Sequence, residues 1–407
     1  MSTPFYDLAS LVVVPSGYKS GKIYAQKPLT TDGQLTFTRA STATRVNASG
    51  LIETVSSGVP RLDYQGSTCP KLLLEPQRSN LLTYSEQFDN AAWSKNATTV
   101  SANAATSPDG TTNADKLIVD NGASLSSISN YALQSITKAA SAIQYTYSTF
   151  AKQGGLNRVN IIAQGASVAN NASATFSLVN GTIATAAAAA GAFTGASASV
   201  SDYGNGWYRC TLVFTTNTDT DLIIRNIPTD STLTTGNGTN GILIYGAQLE
   251  AGAYATSYIP TTSAAVTRLA ESITKTLVNS NSNFSFFLEL DEAPVANAAG
   301  DWLAIAPSAI LGRAYMYGPS LGFADLYSVA APVANQTKFA WTQVSSTTAK
   351  VFSNGVLRSS STSGNYTDPF NSFSITAAYL DKPVRIKQFI FFDAPITDAQ
   401  AIEITTL

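Results

Sequence analysis

Short runs rich in Val, Ile, Phe, Tyr and Thr, each ended by Gly, Asn, Asp or Pro, recur along this chain and leave it little to form except antiparallel sheet. "QYTYSTFAK" (144–152), "RVNIIAQ" (158–164), "WYRCTLVFTT" (207–216) and "DLIIRNI" (221–227) all have this form, and so do "FSFFLEL" (284–290) and "VRIKQFIFF" (384–392). Asn-Gly stands between strand residues twice, at 180–181 and 354–355. A two-residue Asn-Gly loop favours a type I′ hairpin, because both central positions take positive φ. In "GILIYGAQLEAG" the alternation marks Ile242, Ile244, Ala247 and Leu249 for burial. The fold class is all-β.

Helix signals are few. In "PITDAQAIEITTL" Thr397 and Gln400 form a capping box, predicting a short C-terminal helix with Ala399, Ile402 and Ile404 available for its packed side. The run Ala186–Ala190 follows a hairpin and meets Gly191, so a loop or a poorly paired strand is expected there.

At 407 residues the chain exceeds one ordinary core, since domains run to roughly 100–200 residues. The strand pattern breaks at "EPQRSNLL" and again at "YIPTTSAAVTRLA", where Pro260 stiffens the connection. Three segments follow: 1–80, 81–262 and 263–407. The first is loop-rich and short of core, so it is expected to pack on a neighbour or on another subunit.

Charge excludes several functions. Only 12% of residues are charged, the net charge is −2 and no basic run occurs, which argues against nucleic acid as the partner. No histidine is present, so His-dependent triads, His general bases and imidazole metal ligands are ruled out. Cys69 and Cys210 share no metal-binding or redox spacing and read as two buried thiols. The apolar run in "DLASLVVVPSGYK" is too short for a membrane span and lacks a basic leader, so neither membrane insertion nor general secretion is expected.

Several phrases carry a resemblance. "LTFTRASTATRVNASGLIETV", "PRLDY" and "PKLLLEPQRSNLLTYSEQFDNAAWSK" are similar to the N-terminal part of bacteriophage fibre and virion adhesion proteins. "SPDGTTNADKL", "YTYSTFAKQGG", "FSLVNGTIA", "NGWYRCTLVFTT" and "GAQLEAGAYATSYIPTT" resemble carbohydrate-binding-module jelly rolls. "FAWTQVSSTTAKVFSNGVLRSS" and "IKQFIFFDAPITDAQAIEITTL" resemble a concanavalin or laminin-G type sandwich. The resemblance implies two lectin-like β-sandwiches in tandem behind an N-terminal segment, 1–80, that docks on other virion proteins. It also implies a homotrimer, made in the bacterial cytoplasm and carried on the surface of the phage particle, on head or tail. The expected role is adhesion to host-surface or environmental glycans; a purely structural fibre or decoration module is the alternative.

Sandwich lectins stack aromatic rings on sugar faces and read hydroxyls with Asn, Asp and Gln. Trp93, Tyr203, Tyr315 and Tyr317 stand in turn-proximal sequence and are the candidates for a glycan contact, against the alternative that they plug interfaces or edges. Trp207 is expected to be a core anchor with its indole between the sheets, and Arg209 to share its face or pair with a carboxylate. Glycoside hydrolysis needs two placed carboxylates. Glu289, Asp291, Glu292, Asp393 and Asp398 are available, but nothing brings two together, so no enzyme is expected and a depolymerase is the weakest reading. No cofactor is expected beyond a structural calcium at Asp109 and Asp115, whose segment reads by default as a turn.

Overall fold

In this computed structural model residues 3–126, 128–281, 283–292, 301–305, 314–317, 320–323, 327–328, 336–361, 370–377 and 383–406 are described. Strands dominate throughout, as the alternating runs predict. Two compact units result, one built from 1–42, 55–77 and 269–407 and the other from 43–54 and 78–268.

The unit of 43–54 and 78–268 contains two six-stranded antiparallel sheets. Its front sheet is ordered Ser94–Asn96, Tyr131–Thr137, Asp221–Thr229, Arg158–Gln164, Asn171–Ser177, Thr182–Ala190. The back sheet is ordered Thr98–Ala105, Ala114–Val119, Gly241–Ala251, Gln144–Gly154, Tyr208–Thr215, Thr194–Asp202. Alternate residues face the core between them, among them Tyr147, Ile161, Phe176, Leu212 and Ile224. Ile242, Ile244, Ala247 and Leu249 are all buried there. The step from even to odd positions is a bulge: pairing with Gln144–Gly154 shifts between Ser148 and Phe150, and Gly246 takes φ 63°. A Cβ on Gly246 would lie 2.9 Å from the Phe150 ring, so glycine is required.

The alanine run belongs to the edge strand Thr182–Ala190, exposed along nearly its whole length and irregularly paired with Asn171–Ser177. The hairpin before it differs from expectation. Leu178 is drawn into the core, so the loop runs over four residues, 178–181, and of these only Gly181 has positive φ. At 354–355 the expectation holds, with Asn354 at φ 42° and Gly355 at φ 76° between Ala349–Ser353 and Val356–Ser361.

The other unit interleaves the two ends of the sequence. Lys71–Leu74 and Leu11–Val13 both pair with Val384–Phe392, and Leu35–Thr38 pairs with Ser272–Asn281. Leu11, Phe37 and Leu74 thus share one core with Phe286, Trp341 and Phe389. The three-segment division needs correcting here. Residues 1–77, apart from 43–54, supply three strands to each of two sheets completed by 269–407, so the missing core is supplied within the same chain. A buried ion network ties the halves: Arg39 Nη1 donates to Glu271 Oε1 at 2.7 Å, Arg61 Nε to the same oxygen at 2.8 Å, and Arg61 Nη1 to Glu75 Oε2 at 2.8 Å. Burial works against the Arg61 charge, yet Glu271 and Glu75 hold its pKa above the usual value.

The C-terminal helix Asp398–Thr406 starts as predicted. Thr397 N donates to Gln400 Oε1 at 2.8 Å, and Gln400 N returns to Thr397 Oγ1 at 3.2 Å. Its packed side is Ala401, Ile404 and Thr405, whereas Ala399 and Ile402 face outward. Positions three and four apart share a helix face, and 401, 404 and 405 meet that spacing.

Candidate functional site

The predicted aromatic residues do not converge. Trp93 is only 1% exposed, with its ring centroid 4.7 Å from that of Phe88 and its Nε1 donating to Tyr84 O at 3.0 Å. A ring so enclosed has no face to offer a sugar, and Trp93 is a core anchor instead. Tyr203 is half-buried, edge-on to Phe150 at 4.8 Å. Tyr315 and Tyr317 fall on the strand Ala314–Tyr317, and their side chains lie outside the described part of the structure.

Trp207 is buried as expected but not between the sheets. It joins Ile52, Phe150, Tyr245 and Tyr258 in a separate cluster on the outer face of the back sheet. The segment 43–54 caps that face: Ile52 N donates to Pro108 O at 2.9 Å, and Thr44 Oγ1 to Tyr258 O at 2.5 Å. Arg209 lies over the Phe150 ring and donates to Thr256 O, so it is structural.

Two carboxylates meet under this cap. The Tyr245 hydroxyl lies 3.1 Å from Glu86 Oε1 and 3.2 Å from Asp109 Oδ2, while Asn113 Nδ2 reaches both acids. A phenol has one proton to donate, so the Tyr245 hydroxyl bonds both acids only if one of them is protonated. Burial pushes Glu86 up. Against burial, hydrogen bonds from Ser107, Thr111 and Asn113 hold Asp109 below its usual value. Of the two acids, Glu86 is therefore the one that holds a proton more readily. Asp115 is turned to other partners, the N–H groups of Phe88 and Asn103, at 2.7 and 2.9 Å. Among the described residues no group of three or more Asp, Glu or Cys side chains is placed to hold a metal ion.

The outer face of the front sheet is different in kind. Outward positions on its central strands place Leu133, Arg225, Ile162 and Ser173 side by side. In the next row Ile227, Asn160 and Thr175 are neighbours, and Gln164 lies beside Ile223 on the other flank. Diagonal neighbours across strands are about 7–8 Å apart, so Tyr131, Asn160 and Gln164 all surround Arg225. The Arg225 guanidinium stands 5.0 Å from the Tyr131 ring centroid. Arg225 Nε and Asn160 Oδ1 are sealed from solvent without a hydrogen-bond partner. The result is an aliphatic floor studded with one ring, amides, hydroxyls and arginine.

Alternation in "RVNIIAQ" and "DLIIRNI" already turns Arg158, Asn160 and Arg225 away from the core, a signal present in the sequence. These residues lie within strands, away from the turns where a presented aromatic ring is expected. Comparison with protein-family models gives no match, and comparison with curated proteins gives none either.

Proposed function

We propose that this protein is a component of a bacteriophage particle that adheres to glycans through the outer face of its front sheet. The phage assignment is supported by the fibre-like phrases of the sequence, the adhesive role by the front-sheet face. One observation carries the binding site: Asn160 Oδ1 and Arg225 Nε have no hydrogen-bond partner beside Tyr131, on a face where Leu133 and Ile223 stay partly exposed. Buried polar groups are nearly always satisfied, so each exception calls for an explanation, a bound water or ligand among them. The apolar floor suits the C–H faces of a pyranose, and the amides suit its hydroxyls.

The weighed acids favour binding over cleavage. Asp291 pairs with Lys71 and Lys387, and Asp398 with Lys350. A docking role for the N-terminal segment is supported by exposed Tyr6, Leu8, Tyr24 and Leu29, the first two lying where Lys27 Nζ donates to the carbonyls of Tyr6 and Asp7. A purely structural module is the second reading, favoured by the burial of Trp93 in the core.

A glycan array probed with the full chain, extended to the host's own capsule and lipopolysaccharide, tests the adhesive reading. Binding that weakens in Tyr131→Ala is expected. Silence against every saccharide leaves the structural module.

A further inference from the structure

We infer that the front-sheet face recognises an acidic saccharide, whose carboxylate is taken by Arg225 with Arg158 as a second cation further along the groove of strands. This rests on the glycan-binding reading above and narrows its ligand class. Among the described residues neither Arg158 nor Arg225 makes an ion pair or donates a side-chain hydrogen bond, although both are half-buried. Elsewhere in the molecule the buried guanidinium groups are satisfied by carboxylate or carbonyl, as Arg39, Arg61 and Arg209 are. A half-buried guanidinium that pairs with no carboxylate of its own chain is free to take one from a ligand, and its planar fork matches that group.

The surroundings favour an anion over a neutral sugar at this point. Arg225 is flanked directly by Leu133 and Ile162, which lower the local dielectric and strengthen any charge pair. The ring of Tyr131 holds the guanidinium from one side and leaves its edge to donate. Arg158 lies four residues along its strand from Ile162, about 13 Å away, so the two cations are spaced for separate units of one oligosaccharide. The acids of this sheet are placed apart from Arg225. Asp221 stands four residues back on the same strand, and Asp230, past its end, is occupied by the N–H groups of Asn157, Thr232 and Leu233.

Affinity electrophoresis of the full chain through polygalacturonate, its methyl ester, sulfated dextran and plain dextran tests the inference. Retardation by polygalacturonate that falls about tenfold or more on esterification, and again in Arg225→Gln, is expected. Arg158→Gln should weaken it too, and Lys116→Gln should leave it unchanged. Preference for sulfated dextran over polygalacturonate would replace the carboxylate with a sulfate ester and overturn the carboxylate assignment. Equal retardation by the ester or by plain dextran, unaltered in Arg225→Gln, overturns the acidic ligand while keeping glycan binding. Retardation by none of the four, with the variants folded by circular dichroism, overturns both.

Discussion

Glu271→Gln is the sharpest perturbation of the fold. Glu271 accepts from Arg39 Nη1, from Arg61 Nε and Nη2, and from Glu75 N, and it and Arg61 are both fully buried. Two arginines and two glutamates balance in this cluster. Glutamine preserves the shape but removes one negative charge and turns an amide NH2 toward the donors. One buried positive charge is then uncompensated, and breaking a buried pair from one side costs about 3–5 kcal/mol. For a unit of this size, roughly 200 residues, each kcal/mol lowers the midpoint by about 2–4 °C, which predicts a fall of about 6–20 °C. Scanning calorimetry of the full chain reads it. Arg45→Gln is the control, because the Arg45–Glu53 pair is partly exposed and worth about 1 kcal/mol or less. A Glu271→Gln shift no larger than that of the control would refute the reasoning.

Three further outcomes follow from the same geometry. Trp93→Ala should destabilise by about 3–5 kcal/mol in urea unfolding, because it empties a core site beside Phe88; a mutant of unchanged stability would contradict its placement. Gly355→Ala should destabilise by about 1 kcal/mol or more, since φ is 76° and the new Cβ would meet Thr406 Oγ1 at 2.5 Å, while Asn354→Gly should be nearly neutral by the same assay. Glu86 has a raised folded pKa, so its stabilising contribution is complete below the ordinary value near ~4.3 and is lost as pH rises through the folded value. Asp109, held low, contributes above its ordinary value near ~3.9 and loses that contribution as pH falls through its folded value. Glu86→Gln should therefore raise the melting midpoint at pH 8 and Asp109→Asn should lower it; the reverse order would place the proton on Asp109.

The all-β class, the Asn354–Gly355 hairpin and the Thr397 cap were legible because each is a local rule: alternation, a positive-φ dipeptide, a capping box. Ile242, Ile244, Ala247 and Leu249 were legible even across a bulge, since burial leaves its mark on residue type. What failed is non-local. Nothing in residues 1–77 announces that Leu73 pairs with Arg385 or that Phe37 pairs with Ile273, more than two hundred residues away. Packing of that segment on another subunit, expected from its missing core, loses this reason, because 269–407 supplies the burial. The site was half legible. Arg158, Asn160 and Arg225 can be read as outward-facing from their strands, but which of two sheets is capped depends on where 43–54 packs. Trp93 misled because a large ring near a turn looks presentable in sequence whether or not the fold encloses it, whereas for Trp207 burial was legible and the sheet face it packs on was not.

Hydroxyl-radical footprinting of the full chain, with and without a host polysaccharide that retards it, tests the central claim most directly. Protection should centre on Tyr131 and Leu133, with Ile223 following and Tyr203 unchanged. Protection at Tyr203 or in the sandwich that contains Trp341, with Tyr131 and Leu133 as reactive as before, would contradict a glycan site on the front sheet.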